Sequence, residues 1–141
     1  RGGTENVVGI LAMGESIKEI SENFNKNLNT ITNIHGYLEE ELEKIKGISI
    51  NAKNSPRLQN TTSITLANTN GNELMFALER YGICVSTGSA CNSESSEPSY
   101  VLRAMNLTKP ENVVRISISE MTTKPQIDYF IENLKLCIKE N

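Results

Sequence analysis

Cys91 lies within a segment of small and polar residues, VSTGSACNSESSEP (85–98), that has almost nothing to bury. Free cysteine is normally among the most buried residue types, so its position here is unusual. A reachable sulfur with thiolate character is what makes a cysteine reactive. The segment therefore predicts an accessible nucleophilic thiol. On spacing alone, a surface cysteine without a chemical role explains the pattern equally well.

The residues on either side indicate how Cys91 is carried. Residues 81–86 end with enough apolar character for a strand, and Pro98 suits the first turn of a helix, where its missing N–H costs nothing. We therefore expect Cys91 on a mobile connector between a buried strand and a helix.

Apolar residues recur at steps of three and four from Val7 to Ile45, which is the pattern of an amphipathic helix. Gly14 interrupts this pattern, so we predict a short helix up to residue 13 and a long one over 15–46. Gly47 is expected to end the long helix. A helix of that length overhangs a small domain and is predicted to span between two bodies, one of which is not in this chain.

The remaining chain alternates between strand and helix patterns. Strands are predicted at 48–52, 61–67, 83–86 and 113–119, and helices at 72–81, at 98–105 and from about 123 onward. This order predicts a two-layer α/β fold with helices on a small mixed sheet.

Composition excludes several classes of function. The chain has 141 residues, the usual size of one domain, and a net charge of −3 without a basic patch, so nucleic acid is not an expected partner. No apolar run approaches the roughly 20 residues of a membrane span, and no signal peptide is recognisable. Three cysteines form no disulfide framework, which favours a reducing, cytoplasmic location. With a single histidine and no C-x-x-C pair, a metal site is not expected.

Four segments occur together in a distinctive order: RGGTEN (1–6), STGSAC (86–91), EPSYVLRA (97–104) and VRIS (114–117). In this combination the whole chain closely resembles the C-terminal part of NifS/IscS-like cysteine desulfurases, which are class V aminotransferase-like enzymes that use pyridoxal 5'-phosphate. The resemblance implies the small domain of a fold type I enzyme, with a small mixed or antiparallel sheet packed by helices. It also implies a long interdomain helix before this domain.

The resemblance implies a catalytic role for Cys91 and a substrate-binding role for Arg115. Cys91 would attack the sulfur of a cysteine–pyridoxal adduct, become a persulfide and release alanine, and the thiolate is the form that attacks. Arg115 lies in an apolar strand, where a guanidinium is costly to bury unless a carboxylate meets it. By resemblance it would hold the α-carboxylate of L-cysteine. The alternative is a structural salt bridge to an acid such as Glu120.

The resemblance also places Thr4 at the cofactor phosphate of the partner subunit in a homodimer. The alternative is that Thr4 caps a helix that begins at Glu5. Residues 1–15 would pack on a large cofactor-binding domain, and residues 16–141 would form the small domain, with the active-site cysteine loop at about 86–97.

The family's Schiff-base lysine lies in a histidine–lysine context that none of the nine lysines here has. Since the chain also lacks an initiator Met, we expect it to be a fragment, inactive alone and without covalently bound cofactor. The parent enzyme would supply sulfur to an acceptor or iron–sulfur scaffold protein, for cluster assembly or thio-modification. Two alternatives stay open: a non-enzymatic persulfide carrier, and a class V relative that acts on selenocysteine.

Several other residues have structural interpretations. Cys84 is expected in a strand core and Cys137 in a helix core. His35 is expected on a helix surface. The acidic run at 39–43 is expected to form a solvated helix face rather than a catalytic carboxylate pair.

Overall fold

The computed structural model of the chain describes residues 2–88 and 99–139. A short 3-10 helix, Pro110–Asn112, precedes the last strand. In chain order, the other elements are α1 (Val7–Glu43), β1 (Ile48–Ile50), β2 (Thr61–Leu66), α2 (Gly71–Glu79), β3 (Ser86–Thr87), α3 (Tyr100–Ala104), β4 (Val113–Ser117) and α4 (Lys124–Lys139).

The strands form one sheet in the order β1–β2–β4–β3, and each neighbouring pair is antiparallel. The register places Ser63 of β2 and Ser86 of β3 directly opposite Arg115 of β4, one on each side. The predicted α/β fold with helices on a small sheet is therefore confirmed.

The core lies on one side of this sheet. Thr62, Ile64 and Leu66 are buried along β2, whereas the residues between them are half-buried, which is the alternation of a strand with one covered face. Helices α1, α2 and α4 supply the opposing apolar side chains. The buried core cluster contains Leu38, Leu42, Ile45, Ile64, Leu66, Leu74, Leu78, Val114, Ile116, Ile118, Ile127, Phe130, Ile131, Leu134 and Cys137.

Helix α1 is continuous over 37 residues, so the predicted break at Gly14 is wrong. A glycine inside a helix costs only about 1 kcal/mol relative to alanine, and the apolar stripe continues in phase on both sides of it. The helix begins after Asn6, whose Oδ1 accepts a hydrogen bond from the Gly9 amide at 3.0 Å. At 1.5 Å per residue, α1 is about 55 Å long.

The two halves of α1 differ in burial. Its buried residues lie between His35 and Leu42, where the sheet and α4 cover it. Towards the N-terminus the same stripe is exposed, and Val8 is 79% and Leu11 69% accessible. Among the described helices, none is long and apolar enough to cross a membrane.

Two cysteines outside the polar segment have different environments. Cys137 is buried in α4, as predicted. Cys84 is exposed, and the strand expected at 83–86 begins only at Ser86, so its assignment to a strand core is wrong. The run 83–85 is apolar enough for a strand, but β3 pairs with β4 through two residues only.

Candidate functional site

Cys91 lies outside the described residues, and its role stays a prediction. Both flanks of its segment are described, with Thr87 ending β3 and Tyr100 opening α3. Since an extended chain spans at most about 3.6 Å per residue, the four steps from Thr87 to Cys91 keep the two Cα atoms within about 14 Å. The end of β3 therefore determines which part of the domain Cys91 can reach.

Arg115 lies in the middle of β4, whose residues alternate in burial. Val114 and Ile116 are buried in the core, whereas Arg115 is exposed on the other face of the sheet. The expected cost of a buried guanidinium therefore does not arise. Within residues 2–88 and 99–139, Arg115 forms no ion pair, so the alternative salt bridge to Glu120 is not formed. No acid of the described ranges therefore occupies the guanidinium.

The register brings Arg115 next to the strand that leads to Cys91. Ser86 is its direct partner on β3, and directly opposed residues of antiparallel strands have Cβ atoms about 5 Å apart. Ser63 occupies the equivalent position on β2, so a hydroxyl flanks Arg115 on each side. An arginine between two hydroxyls, with no acidic partner in the described part of the chain, suits a carboxylate ligand.

Thr4 lies in the exposed segment before α1. Asn6 is the N-cap of α1, so the alternative that Thr4 caps a helix beginning at Glu5 is wrong. From Val7 to His35 the helix rises about 42 Å, which puts Thr4 far from the part of α1 that packs on the sheet. One copy of the chain therefore does not bring Thr4 and Arg115 together.

Comparisons with known proteins place this arrangement in a family. Residues 1–130 match the family model described as aminotransferase class V. The chain belongs to the class V aminotransferase family.

Named relatives of this class V chain include cysteine desulfurases. It is 40% identical over 135 residues to a cysteine desulfurase of Nostoc sp. (strain PCC 7120), covering 94% of this chain and 34% of that protein. It is 35% identical over 143 residues to cysteine desulfurase IscS of Dictyoglomus turgidum, covering 99% and 36%. The chain thus spans about a third of the length of these relatives.

The solved structure of a NifS-like protein from Rickettsia africae matches the class V chain with a TM-score of 0.86 and 31% identity. The match covers 99% of this chain and 36% of that one. A second NifS-like protein matches with a TM-score of 0.85 and 26% identity, over all of this chain and 36% of the other. These likenesses confirm the predicted small-domain fold.

A buried polar cluster in this class V domain was missed by the sequence analysis. It consists of His35, Glu39, Arg57 and Thr62. Arg57 Nη2 donates to Glu39 Oε2 at 2.7 Å, Thr62 donates to Glu39 Oε1 at 3.1 Å, and Arg57 Nη1 lies 3.0 Å from His35 Nε2. His35 is 5% and Glu39 7% accessible, so the surface positions expected for both are wrong.

The contacts within this cluster shift the pKa values of His35 and Glu39. Burial lowers the pKa of His35, which the charge of Glu39 opposes and that of Arg57 reinforces. Burial by itself would raise the pKa of Glu39, but the hydrogen bond from Arg57 and the charges of His35 and Arg57 outweigh it and lower that pKa. Residue spacing could have predicted that this cluster is buried, because His35, Glu39 and Leu42 follow the i, i+4, i+7 spacing of one helix face.

In residues 2–88 and 99–139, no group of three or more histidine, cysteine, aspartate or glutamate side chains could hold a metal ion.

Proposed function

We propose that this chain is the small domain of a cysteine desulfurase, which converts L-cysteine to L-alanine and carries the released sulfur as a persulfide on Cys91. The observation that carries the proposal is the pairing of Arg115 with Ser86, because it puts a guanidinium with no acidic partner among the described residues beside the strand that leads to Cys91. The similarity to cysteine desulfurases over nearly the whole chain supports the same reaction.

The reaction needs one nucleophile from this domain. The Cys91 thiolate attacks the sulfur of the substrate, so that an S–S bond forms and the C–S bond of the substrate breaks. The electron pair of the broken bond stays with the substrate carbon, which takes up a proton and leaves as alanine. L-cysteine and a thiol thereby become alanine and a persulfide, with no external oxidant or reductant.

Arg115 would hold the α-carboxylate of L-cysteine during this attack. A guanidinium fork binds both carboxylate oxygens, which fixes the direction of the substrate as well as its position. Its exposure and its lack of an acidic partner among the described residues support this role, since nothing there competes for the guanidinium.

The residues present fit one part of a pyridoxal 5'-phosphate site. Thr4 lies just before α1, beside Gly3 with φ +119, and a hydroxyl with a backbone amide near a helix start suits phosphate binding. Thr4 would hold the cofactor phosphate of the partner subunit, and the distance along α1 from Thr4 to the sheet supports a contribution across a homodimer. When bound, pyridoxal phosphate supplies the electron sink that makes the substrate C–S bond cleavable.

The proposed division of the chain lies at about residue 15, and the exposed apolar stripe on α1 runs past it to Leu28. Val8, Ile10 and Leu11 would be costly to leave in water. Residues 1–15 would pack on the large cofactor-binding domain, and this contact would cover the three side chains. Residues 16–141 would then form the small domain. Separated from the large domain, the chain would be inactive and would not hold the cofactor covalently.

The persulfide would be passed to an acceptor or iron–sulfur scaffold protein in the cytoplasm, for cluster assembly or thio-modification. A persulfide sulfur is transferred when an acceptor thiolate attacks it. An accessible thiol on Cys91 is the property that such a transfer requires.

The proposal is tested on the full-length parent protein loaded with cofactor. After incubation with L-cysteine and non-reducing digestion, mass spectrometry is expected to find one extra sulfur on the peptide that contains Cys91, together with alanine in solution. Cys91→Ala should abolish both, whereas Cys84→Ala, a matched change at a cysteine that the structure shows as exposed, should leave both unchanged. Sulfur that reaches Cys91 only when a second protein delivers it would refute the desulfurase and indicate a carrier.

A further inference from the structure

We infer that Asn72 is a positioning residue for the segment that carries Cys91, an inference that rests on the proposed desulfurase function. Asn72 lies in the first turn of α2, and its Oδ1 accepts a hydrogen bond from the Thr87 hydroxyl at 2.5 Å. Thr87 is the last residue of β3 and lies four residues before Cys91. The bond thus joins a helix of the core to the point where the chain leaves the sheet.

Strand β3 depends on such an attachment because its pairing is short. It has two residues and forms two register pairs, both with β4. The next residue, Gly88, has φ +59, and an added Cβ there would meet nothing within 4 Å. Thr87 is therefore the last strand residue before Gly88, and its hydroxyl attaches it to α2 through Asn72 and, at 3.9 Å, through Met75 Sδ.

The first turn of α2 is itself held firmly. A Cβ on Gly71 would meet the Val113 carbonyl oxygen at 2.8 Å and Thr87 Cγ2 at 3.2 Å, so the helix start packs directly on two strands. The Asn70 side chain caps the helix by accepting a hydrogen bond from the Asn72 amide at 2.9 Å. Asn72 is thus fixed through its backbone before it accepts the bond from Thr87.

The consequence for the reaction concerns orientation rather than binding. Arg115, beside Ser86, is the residue proposed to hold substrate, and it keeps its place in β4 without Asn72. Loss of the Asn72–Thr87 bond loosens the start of the Cys91 segment, so the thiolate spends less time in line with the substrate sulfur. The rate of sulfur transfer to Cys91 should fall, while the affinity for L-cysteine should not.

The experiment measures single-turnover sulfur transfer to Cys91 in the full-length, cofactor-loaded protein by quenched-flow mass spectrometry. Asn72→Ala and Thr87→Val should each slow transfer roughly three- to tenfold, the range expected for one hydrogen bond, with KM for L-cysteine unchanged. The double variant should be no slower than Thr87→Val, because Thr87→Val already removes the bond to Asn72 and the weaker contact of the hydroxyl with Met75 Sδ at 3.9 Å.

Two conservative variants separate positioning from folding. Asn72→Asp keeps an acceptor oxygen at the start of a helix, and Thr87→Ser keeps the hydroxyl, so both should retain transfer rates within about twofold of the wild type. Asn54→Ala changes an exposed asparagine in the loop between β1 and β2 and is the matched control. Its rate should equal that of the wild type.

Three results would overturn the inference: wild-type rates in Asn72→Ala, multiplied effects in the double variant, or a rise in KM with an unchanged rate. A wild-type protein that places no sulfur on Cys91 would instead refute the proposed function, and the positioning role would fall with it. A wild type that transfers sulfur and variants that match it refute the positioning role alone.

Discussion

Replacing Arg57 with methionine should destabilise the domain through Glu39. The change keeps an apolar side chain of similar length but removes the guanidinium that meets the Glu39 carboxylate at 2.7 Å. The two side chains are 18% and 10% accessible, so Glu39 would stay buried with its charge largely uncompensated. Breaking a buried ion pair on one side typically costs about 3–5 kcal/mol.

The lower end of that range applies here. Glu39 keeps the hydrogen bond from Thr62 at 3.1 Å. His35 Nε2 also lies 3.1 Å from Glu39 Oε1, and without Arg57 nearby it can take up a proton and pair with that oxygen. We therefore expect Arg57→Met to lower the free energy of unfolding by about 3 kcal/mol at pH 8, and by less below pH 6. For a domain of this size, 3 kcal/mol lowers Tm by about 10 °C.

Urea denaturation at pH 8 and at pH 5.5 measures this effect. Arg80→Met, a change at an exposed arginine of α2's C-cap, is the control and should shift stability by less than about 0.5 kcal/mol. Adding Glu39→Met to Arg57→Met should restore part of the loss, because it removes the buried charge that the first change left unpaired. A loss below about 0.5 kcal/mol in Arg57→Met would refute the reasoning and show that Glu39 is solvated.

Three further results are expected. In the folded chain the pKa of His35 is lowered below its ordinary value of about 6.5. The contribution of His35 to stability is therefore present above pH 6.5 and is lost as the pH falls from that value through the folded pKa. His35→Gln should flatten this part of a curve of stability against pH. Arg115→Lys in the parent enzyme should lower kcat/KM for L-cysteine roughly 10- to 100-fold through loss of the bidentate contact, and a wild-type value would refute the carboxylate role. A hydrogen bond to Asp128 raises the pKa of Tyr37 to about 12, so Tyr37→Phe should remove an ultraviolet titration step near that pH.

Much of the fold could be predicted from the spacing of apolar residues. Helices α2 and α4 and strands β2 and β4 lie within a few residues of their predicted positions, because each has a clear period on one covered face. The break at Gly14 was wrong because a local helix propensity of about 1 kcal/mol is small beside a stripe that stays in phase. Strand β3 was misplaced because its pairing depends on β4, which is distant in sequence.

The candidate site could be predicted only in part. The polar segment predicts a role for Cys91 and the strand pattern one for Arg115, but the pairing of β3 with β4 depends on sheet order, which local sequence does not specify. The pairing of Glu39 with Arg57 was missed because both residue types are normally solvated. Glu39 and Arg57 lie 18 residues apart in the chain, so no local sequence pattern joins them.

Helix α1 is long and continuous, so a small rotation of the domain displaces the far end of the helix by several ångströms. Its buried residues, from His35 to Leu42, pack on the sheet and α4, and its other end follows Thr4 with no break at Gly14. For a rigid rod of about 55 Å, a rotation of the domain by about 5° displaces the far end by roughly 5 Å. A rotation of the sheet that bears Arg115 would therefore displace Thr4 by a larger distance. The proposed substrate contact and the proposed phosphate contact would then move together.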